Sequence, residues 1–180
     1  MSCSAPILMG WYRSKHSKCS VKNRHKMKGE IEMNNLGKFL VNAKRNTYAA
    51  QKGRVPSSRK YSKDLAFEEN DYYYLDSYFG EKDFSGEEIV YLKELPIWSM
   101  NYYGKMIKEN IPEGFIETLR EALQKVPEDK PFRGPEEYIR GKYKYRCSNE
   151  GNIDFFHGTE SIFYENEEVY RLYFHGGCIE

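Results

Sequence analysis

Two glutamates stand in nearly the same words, 72 residues apart: Glu88 in FSGEEIVY (84–91) and Glu160 in FHGTESIF (156–163). Paired carboxylates in one cleft can divide acid and base work, because unlike surroundings push their proton affinities apart. In a strand, residues of equal parity share a face. Glu88 then points with Phe84, Gly86 and Val90, and Glu160 with Phe156, Gly158 and Ile162. A carboxylate among apolar neighbours is costly unless it is paired or hydrogen-bonded. Three readings follow. The glycine marks a bulge that turns each Glu to solvent; or each Glu is tied to Tyr hydroxyls or backbone amides, the commoner fate of buried polar groups; or the two line a central cleft and are catalytic.

Other residues offer different chemistry. Asp76, Tyr78, Trp98, Asn101 and Tyr103 mix rings with hydrogen-bonding groups, the composition of a concave ligand site. Arg59 in VPSSR and Arg133 in PFRGPEE are loop cations placed to clamp an anion at its rim. Loop arginines are more often solvated or tied to local carboxylates. His157 and His175 lie on adjacent expected strands near Cys147. Two histidines without a spacing signature fall short of the three or four converging ligands a metal needs. No phosphate-cradling glycine loop, GxSxG or HExxH occurs. No cofactor is implied.

The totals bound the elements that must hold these residues. A chain of 180 residues makes one domain, and 16 Tyr with 10 Phe favour half-buried sheets over helix bundles. Four Cys without CxxC fit reduced thiols in a cytoplasmic protein. There is no apolar run of membrane length and no secretory signal. Residues 1–32 differ from the rest: seven Lys or Arg against two Glu give +5, leaving −4 for 33–180. Lys28-Gly29-Glu30 can be encoded by a purine-rich ribosome-binding sequence, and Met33 follows at the spacing of a bacterial start. Residues 1–32 are therefore expected to be a translated leader, or else a disordered basic tail. Net −4 over 33–180 argues against direct nucleic-acid binding.

From Met33 the pattern sharpens. Leu36, Phe39, Leu40 and Ala43 space a short amphipathic helix, and residues 112–126 a clearer one, with Phe115, Leu119, Ala122 and Leu123 on one stripe. Residues 51–64 and 127–138 read as loops, and strands are expected near 71–80, 81–92, 96–104, 142–149, 153–164 and 168–176. An ungapped offset of 72 pairs Phe84 with Phe156, Gly86 with Gly158, Tyr102 with Phe174 and Gly104 with Gly176. Upstream it pairs Tyr73 with Tyr145 and Leu75 with Cys147. These matches predict an α+β domain over 33–180: a duplicated helix-plus-three-strand unit (about 33–108 and 109–180). The two units would form a six-stranded, mostly antiparallel sheet with helices on one face.

The stretches DYYYLDSYFGEKDFSGEEIVY, PIWSMNYYG, PFRGPEEY and YFHGG resemble the bacterial domain-of-unknown-function family 5680, with MNYYG and FRGPE the most specific pieces. The resemblance implies a relative of transcriptional regulators, since members often follow an Xre-type helix-turn-helix. It brings no catalytic residues, and nothing before Met33 could form such a module. The expected function is a cytoplasmic ligand-binding or sensing domain whose partner is a small molecule or a protein. A small enzyme using Glu88 and Glu160, or a protein-interaction module that could pair as a homodimer, is the alternative.

Overall fold

The computed structural model describes residues 35–179, so the basic segment 1–32 and the expected start at Met33 lie outside the described residues. Helix α1 spans Leu36–Asn46 and runs into a 3-10 turn at Tyr48–Ala50. Strands β1 (Arg54–Val55), β2 (Lys63–Glu69), β3 (Tyr72–Gly80), β4 (Phe84–Leu92) and β5 (Leu95–Met106) follow. Helix α2 spans Phe115–Leu123. Strands β6 (Glu137–Arg140), β7 (Tyr143–Asn152), β8 (Phe155–Tyr164) and β9 (Glu167–Cys178) close the chain. All nine strands lie in one sheet in the order β1-β2-β3-β4-β5-β9-β8-β7-β6, every neighbour antiparallel.

This corrects the expected fold. The six strands read from the sequence correspond to β3, β4, β5, β7, β8 and β9, and the sheet has three more. A six-stranded sheet covered by helices on one face is not what forms: one nine-stranded antiparallel sheet dominates, with two short helices among the described residues. A helix-plus-three-strand unit describes neither half, because β1 and β2 precede β3 and β6 precedes β7. Strands β1 and β6 have two and four residues, too few to show an alternating pattern. Strand β2 hides behind Lys63, Asp64, Glu68 and Glu69, with only Leu65 and Phe67 as large apolar residues.

The repeated words have a packing cause. Phe84 lies directly opposite Gly104, and Gly86 opposite Tyr102. Phe156 likewise faces Gly176, and Gly158 faces Phe174. Each ring lies over the glycine across from it: a Cβ on Gly104 would stand 2.4 Å from the Phe84 ring, and one on Gly158 2.4 Å from the Phe174 ring. Real Cβ atoms do not approach so closely, so only glycine admits the ring. The glycines are not bulges; the register shifts fall later, at Val90/Tyr91 and Ile162/Phe163. Both glutamates therefore keep their inward parity. Upstream, Tyr74 faces Val90 as Tyr145 faces Ile162, so the ungapped pairing of Tyr73 with Tyr145 is one residue out. Tyr74 and Tyr145 are both fully buried, whereas Tyr73 is exposed.

At mid-sheet β5 pairs with β9, Tyr102 opposite Phe174. Phe39 of α1 stacks on Tyr72 at 4.9 Å, and Phe115 of α2 meets Tyr170 edge-on at 5.5 Å. Trp98 and Phe132 stack on Phe156 at 5.6 and 3.8 Å. These contacts close a core on the sheet's inner face, where the helices sit, and leave room between α1, α2 and β3–β5.

Candidate functional site

That room is a half-enclosed cavity of ≈ 340 Å³. Strand β3 contributes Tyr74, Asp76 and Tyr78, alternate residues that share the inner face. Phe84 and Glu88 of β4 and Tyr102 of β5 continue that wall. Helix α2 supplies Ile116, Leu119, Arg120 and Leu123, spaced i, i+3, i+4 and i+7, so one helical face makes the opposite wall. Lys44 and Tyr48 come from α1 and its following turn, and Arg133 from the loop before β6.

The charges of the cavity differ in how they are compensated. Lys44 Nζ donates to Glu88 Oε2, and both side chains are buried. Burial holds the Lys44 ammonium below its ordinary range, against the pull of Glu88. Arg133 forms a bidentate pair with Glu160, Nε to Oε2 at 3.0 Å and Nη2 to Oε1 at 2.9 Å. The Tyr145 hydroxyl donates to Oε2 at 2.6 Å and the Tyr170 hydroxyl to Oε1 at 3.0 Å. Glu160 thus accepts four hydrogen bonds at zero exposure. Burial would lower the Arg133 pKa, but Glu160 more than offsets it. At the mouth, Lys63 Nζ reaches Glu81 Oε1 at 2.9 Å.

Asp76 and Arg120 are left. The Tyr102 hydroxyl donates to Asp76 Oδ1 at 2.6 Å, the one hydrogen bond that carboxylate receives among the described residues. Burial first, and then the charge of Glu88 directly opposite on β4, raise Asp76 to about 7. Arg120 Nε is buried without a hydrogen-bond partner among the described residues, and its guanidinium sits 5.9 Å from the Tyr48 ring centroid.

The residues expected to bind ligand are divided by the sheet. Asp76, Tyr78 and Arg133 line the cavity together with Glu88, while Glu160 sits behind Arg133 and is not in the wall. Arg133 is buried, not at a rim. Trp98 is a core residue: it is fully buried, and its Nε1 donates to the Ile153 carbonyl at 3.1 Å. Asn101 and Tyr103 have the opposite parity and lie on the outer face, in a shallower hollow of ≈ 330 Å³ with Arg59 and His175. Arg59 is tied there by Nη2 to the Ser77 carbonyl at 2.8 Å. His157 and His175 face each other on that outer side, and His157 Nε2 stands 3.7 Å from Glu150. Among the described residues no group of three or more His, Cys, Asp or Glu could hold a metal. Cys147 is instead an inner-face thiol that burial, and then Glu160, push up to about 12. Lys44, Tyr48, Tyr102 and Arg120 were not singled out from the sequence. Lys44 carried a signal, since it follows Leu40 by four residues and so interrupts the buried stripe of α1.

Residues 76–179, from Asp76 in β3 to the end of β9, match the family model described as "Domain of unknown function (DUF5680)". The chain belongs to the DUF5680 family. No curated protein and no solved structure matches it. The stretch that matches DUF5680 contains Asp76, Glu88, Tyr102, Arg120, Arg133 and Glu160, whereas Lys44 and Tyr48 lie upstream of it. No helix among the described residues is long and apolar enough to cross a membrane.

Proposed function

We propose that this DUF5680 protein is a cytoplasmic small-molecule-binding or sensing domain, not itself DNA-binding, whose ligand occupies the inner cavity. As a sensing domain it would be a relative of the effector part of bacterial regulators. One observation carries the reading: a cavity of ligand size, walled by rings, holds a buried carboxylate whose one hydrogen bond among the described residues comes from a tyrosine hydroxyl. Buried charge is normally compensated within the protein, as Glu160 is here, so an under-compensated group facing a cavity marks a place for a partner. The enzymatic alternative through Glu88 and Glu160 is disfavoured, because four donors occupy both oxygens of Glu160 and none is free to move a proton.

The test is a thermal-shift screen of the full chain against metabolites and nucleotides. A ligand at 100 times its Kd adds about 2.7 kcal/mol of stability. A saturable shift that Tyr78→Ala weakens supports the reading; a blank screen on folded protein removes it. In that event the exposed Tyr103, Tyr173 and Phe155 on the outer face favour a protein-interaction surface, and light scattering would read self-association.

A further inference from the structure

Resting on the reading of the cavity as a ligand site, we infer the ligand's class: a small zwitterion with an apolar body, the chemistry of a hydrophobic amino acid. Its anionic group meets Arg120 and its ammonium meets Asp76. Among the described residues, these two are the charges of the cavity that no direct ion pair matches. Lys44 is matched by Glu88, Arg133 by Glu160, and Lys63 by Glu81. Among the described residues, Arg120 Nε is buried with no hydrogen-bond partner and Asp76 receives one neutral donor. Apolar lining for the body of such a ligand comes from Ile116, Leu119 and Leu123 on the helix wall and Tyr74, Tyr78 and Phe84 on the sheet wall.

A ligand of a single sign fits poorly. A cation could pair with Asp76 but would also face Lys44, Arg120 and Arg133, and an anion could pair with Arg120 but would face Asp76 and Glu88. Only a molecule carrying both signs offers a partner to both the buried Asp76 carboxyl and the Arg120 guanidinium. The volume of ≈ 340 Å³ is at the small end for ligand pockets, which suits a small occupant.

The experiment is isothermal titration calorimetry of the full chain with three probes of one shape: phenylalanine, phenethylamine and 3-phenylpropionate. Phenylalanine should bind about tenfold or more tightly than either single-charge analogue. In Arg120→Gln, phenylalanine and phenethylamine should bind alike; in Asp76→Asn, phenylalanine and 3-phenylpropionate should bind alike. Arg120 is a half-exposed helix position, so its variant serves if Asp76→Asn does not fold. Equal affinity of the wild type for all three probes overturns the inference. So does failure of all three while the library screen yields a ligand of another charge type, and the cavity reading then survives. A blank in both experiments overturns both.

Discussion

Glu88 and Glu160 occupy equivalent places in two hairpins, each two residues beyond a glycine that lies under a ring, opposite Met100 and Leu172 respectively. Their surroundings differ. Glu160 is locked by one arginine fork and two tyrosine hydroxyls behind the cavity wall. Glu88 faces the cavity with a single lysine and has Asp76 across the ladder. Where Asp76 stands beside Glu88, the equivalent position beside Glu160 is Cys147. One region has spent its buried charge on holding the fold; the other retains a surplus carboxylate. The same sequence word therefore sits in a fully paired setting in one half and borders a cavity in the other.

The largest expected effect lies in the locked region. Glu160→Gln leaves Arg133 buried without its counter-charge and should cost about 3–5 kcal/mol in urea denaturation. A loss below about 1 kcal/mol would mean that the two regions do not differ as described.

Asp76→Asn should act in the opposite direction, and with pH. The Asp76 carboxyl is raised from 3.8 to about 7, so the native state keeps a proton that the unfolded chain releases. Its contribution is most favourable below about pH 4, falls as pH rises to about 7, and is level above. The variant removes that fall, so its gain over wild type should be about 2 kcal/mol larger at pH 8 than at pH 5, read from melting curves at both. Asp64, on the outer face, has the reverse sense. Burial alone would raise it, but Ser58, Ser62 and Ser77 donate to it and lower it to about 2, so its contribution is lost on acidification.

The two glycines sharpen the comparison further. A Cβ on Gly158 would stand 2.5 Å from the Ser148 carbonyl oxygen, a backbone atom that cannot yield, as well as against the Phe174 ring. On Gly86 the nearest atoms belong to the side chains of Tyr102 and Tyr78, which border the open cavity. Gly158→Ala should cost about 2–3 kcal/mol and Gly86→Ala about 1 kcal/mol. The reverse order in chemical denaturation would place the rigid half wrongly. Glu88→Gln comes last, at about 1 kcal/mol, since Asp76 is close enough to take over as counter-charge to Lys44. In that variant the Asp76 pKa should fall, read by carbon-13 NMR titration of its carboxyl, because the neighbouring negative charge is gone.

Much of the frame was legible in the chain itself. Leu36, Phe39, Leu40 and Ala43 declare the buried face of α1 by spacing alone, and the alternation of large rings declares β3 to β5 and β7 to β9. Parity points Glu88 and Glu160 inward unless the glycine before each is a bulge, and the register shows that neither is. Parity would equally have separated Trp98 from Asn101 and Tyr103 within β5, and the register puts the latter two on the face opposite Asp76 and Tyr78. The short edge strands β1 and β6 had no pattern to read, because their pairing comes from neighbours and not from their own composition.

The sequence by itself determined that two glycine-and-ring hairpins recur with a carboxylate two residues beyond each glycine, because period and residue size act locally. Only the tertiary structure decided which cation each carboxylate meets. Lys44 lies 44 residues from Glu88, Arg133 lies 27 from Glu160, and Arg120 meets Asp76's cavity from a separate helix. Such pairings depend on how helices and loops return across a sheet. No local rule of spacing contains that information, and the free charges of the cavity exist only as its remainder.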